Sequence, residues 1–291
     1  MEHRPQKTLI CDLDNTLYDW VSYFVPSFYS MVDEAVNILG CDREALLDEL
    51  REVHRKHKSS EHSFSLLETQ IYKSWSLGRE NEARKGIDGA FKAFNSQRKK
   101  SLRLYPGVSE TLAQLTAERC RLIAYSESTI IAVVDRMRRL GIADYFSQIY
   151  CRKRTIGDHD HEVDTRTWIG DFPIERVTLL PETIRKPDQL VAELMKKQLR
   201  LQVHDTYMVG DSIAKDVLLA QRAGFQSIWA AYGAAHSEID YNKLVRVSHW
   251  SESDIAREKT LASQAASVRP DFTCYQSFSE ILKFMHQKVI Q

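Results

Sequence analysis

Cysteine is scarce and scattered in this chain: Cys11, Cys41, Cys120, Cys151 and Cys274, with no Cys-x-x-Cys spacing among them. An odd, dispersed set excludes a disulfide framework and a cysteine-built zinc site, and predicts reduced thiols in a cytoplasmic protein. No apolar run approaches the ~20 residues that a membrane helix needs. The N-terminus shows no basic start followed by an apolar core, so neither a membrane partner nor a secretory leader is expected. Neither sign of charge is in excess, because 40 Lys and Arg balance 40 Asp and Glu. That balance removes the long-range field that would draw the protein to a nucleic acid polymer, and leaves a small molecule as the expected partner.

What is present is ample material for a core. Hydrophobic residues make up 43% of 291, enough for one large domain or a domain with a smaller companion. The most informative stretch is Thr8-Leu9-Ile10-Cys11-Asp12-Leu13-Asp14-Asn15-Thr16. A short apolar run ending in two carboxylates reads as a buried strand that delivers acidic groups to its carboxyl end, where open α/β sheets bind ligands. Asp12 and Asp14, two apart on extended backbone, project to the same side. A second pair, Asp158-His159-Asp160, has no apolar run before it. It falls in the polar stretch 152–176, which reads as a solvated excursion rather than a metal site, because adjacent loop residues rarely converge on one ion.

After Tyr18 the period changes. Trp20, Phe24, Phe28, Met31, Ala35 and Leu39 recur at three- and four-residue intervals until Gly40, which predicts an amphipathic helix. Further helices are expected over 43–56, 64–76 and 80–94, so 18–103 reads as an all-helical insertion with its own small core. From 104 onward, strands and helices alternate. Strands are expected at 120–125, 146–151, 177–180, 206–209 and 227–231, with helices over 108–118, 130–140, 188–199 and 213–223. Residues 270–288 would close the domain with one more strand and helix. This alternation predicts an α/β fold with a doubly wound, mostly parallel sheet, built from 1–17 and 104–291, and a helical cap over 18–103.

Three strand ends complete the pattern begun by Asp12 and Asp14. Ser126 follows one, Lys186 stands in Arg185-Lys186-Pro187-Asp188 before a helix, and Gly210-Asp211-Ser212 is followed by Asp216. In this order the motifs resemble those of the haloacid dehalogenase (HAD) superfamily, in the branch with a helical cap after the first strand that includes phosphoglycolate phosphatases and pyrimidine nucleotidases. The resemblance implies a Rossmannoid core and a phosphatase acting through an aspartyl-phosphate. Asp12 would be the nucleophile and Asp14 the general acid and base. Ser126 and Lys186 would bind the substrate phosphate. Mg2+ would be held by Asp12, Asp211 and the backbone carbonyl of Asp14, with Asp216 supporting the metal shell or Lys186.

The chemistry is coherent on physical grounds. A phosphate monoester is dianionic and repels a carboxylate, so Asp12 needs cations beside it before it can attack phosphorus. Mg2+ takes oxygen ligands and keeps several waters, which suits a few carboxylates. Asp14 separates this pattern from the dehalogenases of the family, which lack it. A phosphomutase would use the same residues, and a catalytically weak phosphate sensor would retain the fold. The expected substrate is a small phosphorylated metabolite, such as a nucleotide or sugar phosphate, chosen by residues within 18–103. The expected state is monomer or homodimer. Two departures stand out: Glu127 occupies a position where the family commonly has Asn, placing a negative charge near an anionic substrate, and the stretches 152–176 and 233–269 exceed the compact pattern.

Overall fold

The computed structural model describes residues 6–62, 64–153, 169–235 and 237–287. The run Asp158 to Glu162 lies outside the described residues. The chain divides into two compact units: Met1–Asp19, Arg103–Ala235 and Lys259–Gln291 form one, Trp20–Leu102 and His236–Glu258 the other.

The first unit is built on a seven-stranded, all-parallel sheet. Its strands are β1 (Thr8–Cys11), β2 (Arg121–Thr129), β3 (Gln148–Arg152), β4 (Val177–Leu180), β5 (Thr206–Gly210), β6 (Gln226–Ala230) and β7 (Phe272–Cys274), in the order β4-β3-β2-β1-β5-β6-β7. Parallel strands need crossover connections, and the helices that supply them cover both faces, so the central strands are apolar on both sides. In β1 all four residues are buried. Ile10 lies in register with Ile123 of β2 and Met208 of β5. This row packs with Tyr125 and Tyr150 against Val191 and Met195 of the helix Gln189–Leu199 and Leu219 of the helix Leu218–Ala223. On the other face the Tyr207 ring meets Phe284 edge-on at 5.8 Å, and Phe284 stacks on Phe272 at 5.2 Å. The strand order reverses around β1, with β2 on one side and β5 on the other. Such a reversal is where open α/β sheets place their ligands, at the carboxyl ends of these three strands.

The second unit is helical, and its boundaries differ from the expected ones in two ways. The helix expected over 64–76 is two, Ser65–Glu68 and Gln70–Ser76, because Thr69 is extended at φ −66° and ψ 147°. The Thr69 hydroxyl donates to the Leu66 carbonyl at 2.8 Å and accepts from the Tyr72 N–H at 3.2 Å, ending one helix and capping the next. Likewise 80–94 separates at Ile87 into Glu80–Gly86 and Asp88–Ser101.

The larger correction concerns the stretch after β6. Residues His236–Glu258 belong to the helical unit, not to the α/β unit as the expected boundary of 104–291 had it. The helix Glu238–Val247 lies against Trp20–Leu39 and Arg43–Lys56. Tyr29 Oη donates to the Lys243 carbonyl at 3.0 Å, and Arg246 pairs with Glu44 and Asp48 at 3.0 and 2.9 Å. His54 Nδ1 donates to the Val247 carbonyl at 2.7 Å. The helical unit is thus assembled from two insertions distant in sequence, which no local pattern could announce.

His54 is fully buried, and that burial pushes its pKa down to about 4 against a weaker opposing pull from its bond to Val247. Its folded pKa is depressed below the unfolded 6.5, so the unfolded chain binds the proton more readily. The stability it contributes is complete above pH 6.5 and declines as pH falls toward 4, by about 3 kcal/mol for a shift of this size. In urea unfolding at a series of pH values, His54→Asn should keep the bond to Val247 and lose this part of the slope between pH 6.5 and 4. An unchanged slope would assign the acid sensitivity elsewhere.

Candidate active site

Asp12 is anchored by its own backbone, whose N–H donates to the Val209 carbonyl at 2.9 Å across the β1–β5 gap. Directly after it the chain turns sharply. Leu17 N–H reaches back to the Leu13 carbonyl at 2.9 Å, and Asn15 adopts φ 60°, a left-handed conformation that Asn tolerates better than most residues. The turn brings the Thr16 hydroxyl onto Asp12 Oδ2 at 2.8 Å. From β6 and the turn after it, Trp229 Nε1 donates to the Asp211 carbonyl at 2.8 Å and Tyr232 Oη to the Thr16 carbonyl at 2.7 Å. Gly233 permits this approach: a Cβ there would stand 1.7 Å from the Asn15 carbonyl oxygen.

Lys186 arrives from the loop after β4, three strands away from β1 in the sheet. It is buried, and its Nζ contacts Asp12 Oδ1 at 2.5 Å and Asp216 Oδ1 at 2.8 Å while lying 4.7 Å from the centre of the Tyr125 ring. Glu127, at the end of β2, accepts a hydrogen bond from the Lys186 backbone N–H at 3.0 Å. Lys215 stands 3.9 Å from the same carboxylate. The negative charge that looked out of place in the sequence ties the lysine loop to the end of β2. Asp216 sits on a wide turn of π-helix, Ile213–Val217, and accepts from the Ser212 N–H at 3.2 Å. Gly210 leaves it room, since a Cβ there would fall 2.1 Å from Asp216 Cγ.

Asp12, Asp211 and Asp216 each offer a carboxylate oxygen within 4.8 Å of the others. Among the described residues, one buried ammonium, that of Lys186, stands against them, at bonding distance from Asp12 and Asp216. Burial pushes the Asp12 carboxyl up to about 7, with Lys186 pulling it down and Asp216 adding to the rise. Burial also raises Asp211 well above the usual carboxylate range, reinforced by repulsion from Asp12 and Asp216. For Lys186, burial alone would lower the pKa, but the carboxylates of Asp12 and Asp216 override it and hold the ammonium well above its ordinary value. The site is short of positive charge, and its donors are all oxygen. A hard divalent cation fits both conditions.

Asp14 faces a different set of groups. Tyr18 Oη donates to its Oδ1 at 2.8 Å, and the Arg136 guanidinium lies 3.2 Å from the same oxygen. Oδ2 accepts from Ser128 Oγ at 2.8 Å and Ser126 Oγ at 3.2 Å. Arg136, itself buried, also donates to Tyr18 Oη at 2.9 Å. The structure thus brings Asp12, Lys186, Asp211 and Asp216 into one cluster, while Asp14 and Ser126 meet beside it.

The sequence shows Thr16 only as the closing residue of the first motif and offers no role for Tyr18, Ser128 or Arg136. Thr16 and Tyr18 are one turn beyond the aspartates they bind. Arg136 shares a helical face with buried Val133, and an arginine on an apolar face is a readable sign of a buried partner.

A family model of haloacid dehalogenase-like hydrolases matches residues 6–224. The chain belongs to this family. It is 26% identical over 241 residues to a phosphoglycolate phosphatase of Vibrio vulnificus, covering 82% of this chain and 89% of that protein. It is 21% identical over 229 residues to a glyceraldehyde 3-phosphate phosphatase of Pyrococcus abyssi, covering 78% of this chain and 82% of that one. Among solved structures, a 2-haloacid dehalogenase from Pseudomonas syringae superposes with a TM-score of 0.54 at 20% identity, over 97% of this chain and 99% of that one, which speaks for the fold alone.

Two outcomes are expected. Gly233→Ala should lower the melting temperature, with a cost of about 1–3 kcal/mol for forcing the turn away from Asn15; an unchanged melting curve would show that the loop gives way freely. Mg2+ binding, followed by calorimetry in buffers of different ionisation enthalpy, should release protons near pH 7, because the cation favours ionised Asp12 whose carboxyl stands at about 7. Affinity should rise with pH through that range, and Asp12→Asn should reduce the proton release to the part that Asp211, also raised by burial, contributes.

Proposed function

We propose that this chain is a Mg2+-dependent phosphatase that hydrolyses a small phosphorylated metabolite through an aspartyl-phosphate on Asp12. The observation that carries this reading is the set of contacts on Asp12: Lys186 on one carboxylate oxygen and Thr16 on the other, with Asp211 and Asp216 completing an anionic cluster that calls for a divalent cation. The two phosphatase relatives act, by their names, on small phosphate esters, which supports the same substrate class.

In the first step Asp12 attacks phosphorus, the ester P–O bond breaks, and the leaving oxygen takes a proton from Asp14. In the second, Asp14 takes a proton from water as it attacks the phosphoryl group, and the bond to Asp12 breaks to free phosphate. Lys186 neutralises the transferring group and orients Asp12, and Asp216 orients Lys186. Mg2+, held by Asp12, Asp211 and the Asp14 carbonyl, would supply the remaining positive charge that lets an anionic nucleophile approach a dianion. Tyr18 and Arg136 hold one oxygen of Asp14, leaving the other to exchange a serine contact for the leaving group or water. The Ser126 hydroxyl, bound to Asp14 in the resting arrangement, would turn to a phosphoryl oxygen. The five unpaired cysteines suit a reducing, cytoplasmic setting.

Phosphate release from a panel of nucleotide, sugar and short-acid phosphates should require Mg2+, stop with chelator, and fall at least ~10³-fold in Asp12→Asn, the scale at which loss of a nucleophile acts. Turnover that survives in folded Asp12→Asn would overturn the aspartyl-phosphate.

A further inference from the structure

A second cluster of ligand-type side chains lies within the helical unit. His57 closes the helix Arg43–Lys56, His62 stands in the irregular segment that follows, and Glu68 ends the short helix Ser65–Glu68. Nε2 of His57 and Nε2 of His62 both point at the Glu68 carboxylate, at 2.8 and 2.7 Å. The two imidazoles are parallel, with ring centres 3.7 Å apart and planes within 9°. Their side chains are 4%, 10% and 5% exposed, so the cluster is an interior one. One ligand atom from each lies within 4.8 Å of the others.

We propose that His57, His62 and Glu68 form a binding site for a borderline transition-metal cation such as Zn2+. Two imidazole nitrogens and one carboxylate oxygen grouped within 4.8 Å are of the donor types that Zn2+ takes at roughly 2.0–2.2 Å, with a fourth position left for water. Binding would part the two nitrogens from the Glu68 carboxylate and tilt the parallel rings so that both lone pairs face the ion. The donor types also separate this site from the one at Asp12: nitrogen ligands favour zinc-like ions, whereas an all-oxygen set favours Mg2+. Binding requires the Nε2 lone pairs, so the ring protons now directed at Glu68 would pass to solvent or reside on Nδ1. Lys56, whose Nζ is 3.2 Å from Glu68, has a half-exposed side chain that can withdraw into water as the cation enters.

Two features support a metal over a plain ion-pair cluster. A single carboxylate meets two imidazole nitrogens from one side, with the rings stacked 3.7 Å apart. A divalent cation replaces that arrangement with one centre of charge. His57 and His62 also lie in, and Glu68 just beyond, a segment between Lys56 and Ser65 whose described residues belong to no helix or strand. A metal there would fasten the end of one helix to the end of the next, a structural rather than a catalytic duty.

The test uses untagged, metal-stripped full chain, with Zn2+ in competition with a chromogenic chelator and Co2+ as a spectroscopic probe. One equivalent of Zn2+ should bind in the presence of excess Mg2+, raise the melting temperature, and give a Co2+ spectrum with nitrogen ligation. Glu68→Gln and His62→Asn should weaken that binding at least ~100-fold, beyond the 10–100-fold typical of losing an outer-shell partner, while Asp211→Asn should retain it. If either variant fails to fold, side-chain 15N shifts of the native protein decide: His57 and His62 Nε2 should move on adding Zn2+. No stoichiometric Zn2+, binding unaffected by folded Glu68→Gln, or unmoved histidine shifts would overturn the proposal. Because the readout is metal binding and not turnover, its failure leaves the phosphatase reading standing, and the reverse holds equally.

Discussion

The arrangement of the α/β unit depends on one electrostatic constraint: the buried ammonium of Lys186 is set among the carboxylates of Asp12, Asp211 and Asp216. Burying such groups is costly unless each is paired. Lys186 meets two of them at bonding distance, and the remaining excess of negative charge is what a divalent cation would neutralise. The sheet order serves this constraint, placing Asp12 on the central strand and Asp211 after its neighbour β5. Lys186 comes from the far edge strand, and Glu127 holds its loop in place through the backbone. Two glycines at points of close approach, Gly210 and Gly233, let the loops pack this tightly.

Beside this cluster, Asp14 has its own support. Tyr18, Ser126, Ser128 and Arg136 surround it with donors, and Arg136 reaches it from the helix Ile130–Arg139. Separating the two aspartates in this way gives each a distinct environment, although they are two residues apart on one strand end. Under the proposed mechanism, the carboxylate that attacks and the one that moves protons need different neighbours.

The helical unit follows other rules. It has no sheet to set its order, and its second segment is recruited through hydrogen bonds such as His54 to Val247 and Tyr29 to Lys243. Its histidines divide between two tasks. His54 is buried and held neutral, with its Nδ1 committed to a backbone carbonyl, whereas His57 and His62 turn toward Glu68. Within about fifteen residues the same side chain thus serves as a packing element and as a candidate ligand, and only the direction of its nitrogens separates them.

The α/β class, the parallel sheet and the six residues Asp12, Asp14, Ser126, Lys186, Asp211 and Asp216 were legible in the sequence. Strand ends in such a fold are marked by an abrupt change from apolar to polar residues, and chemistry sits at those ends. The breaks at Thr69 and Ile87 were not legible, because amphipathic spacing continues across a single non-helical residue. Nor was the membership of 236–258 in the helical unit, which depends on contacts with residues some two hundred positions away. Glu127 is the clearest case of a residue whose meaning came from the fold: beside a motif serine it reads as an unwelcome charge, and in space it is the acceptor that holds Lys186. Local pattern determines which residues stand at the strand ends, since it reports burial and period along the chain. Which of them meet, and which glutamate or arginine steadies them, is decided by strand order and loop packing, because those contacts join segments that share no periodicity.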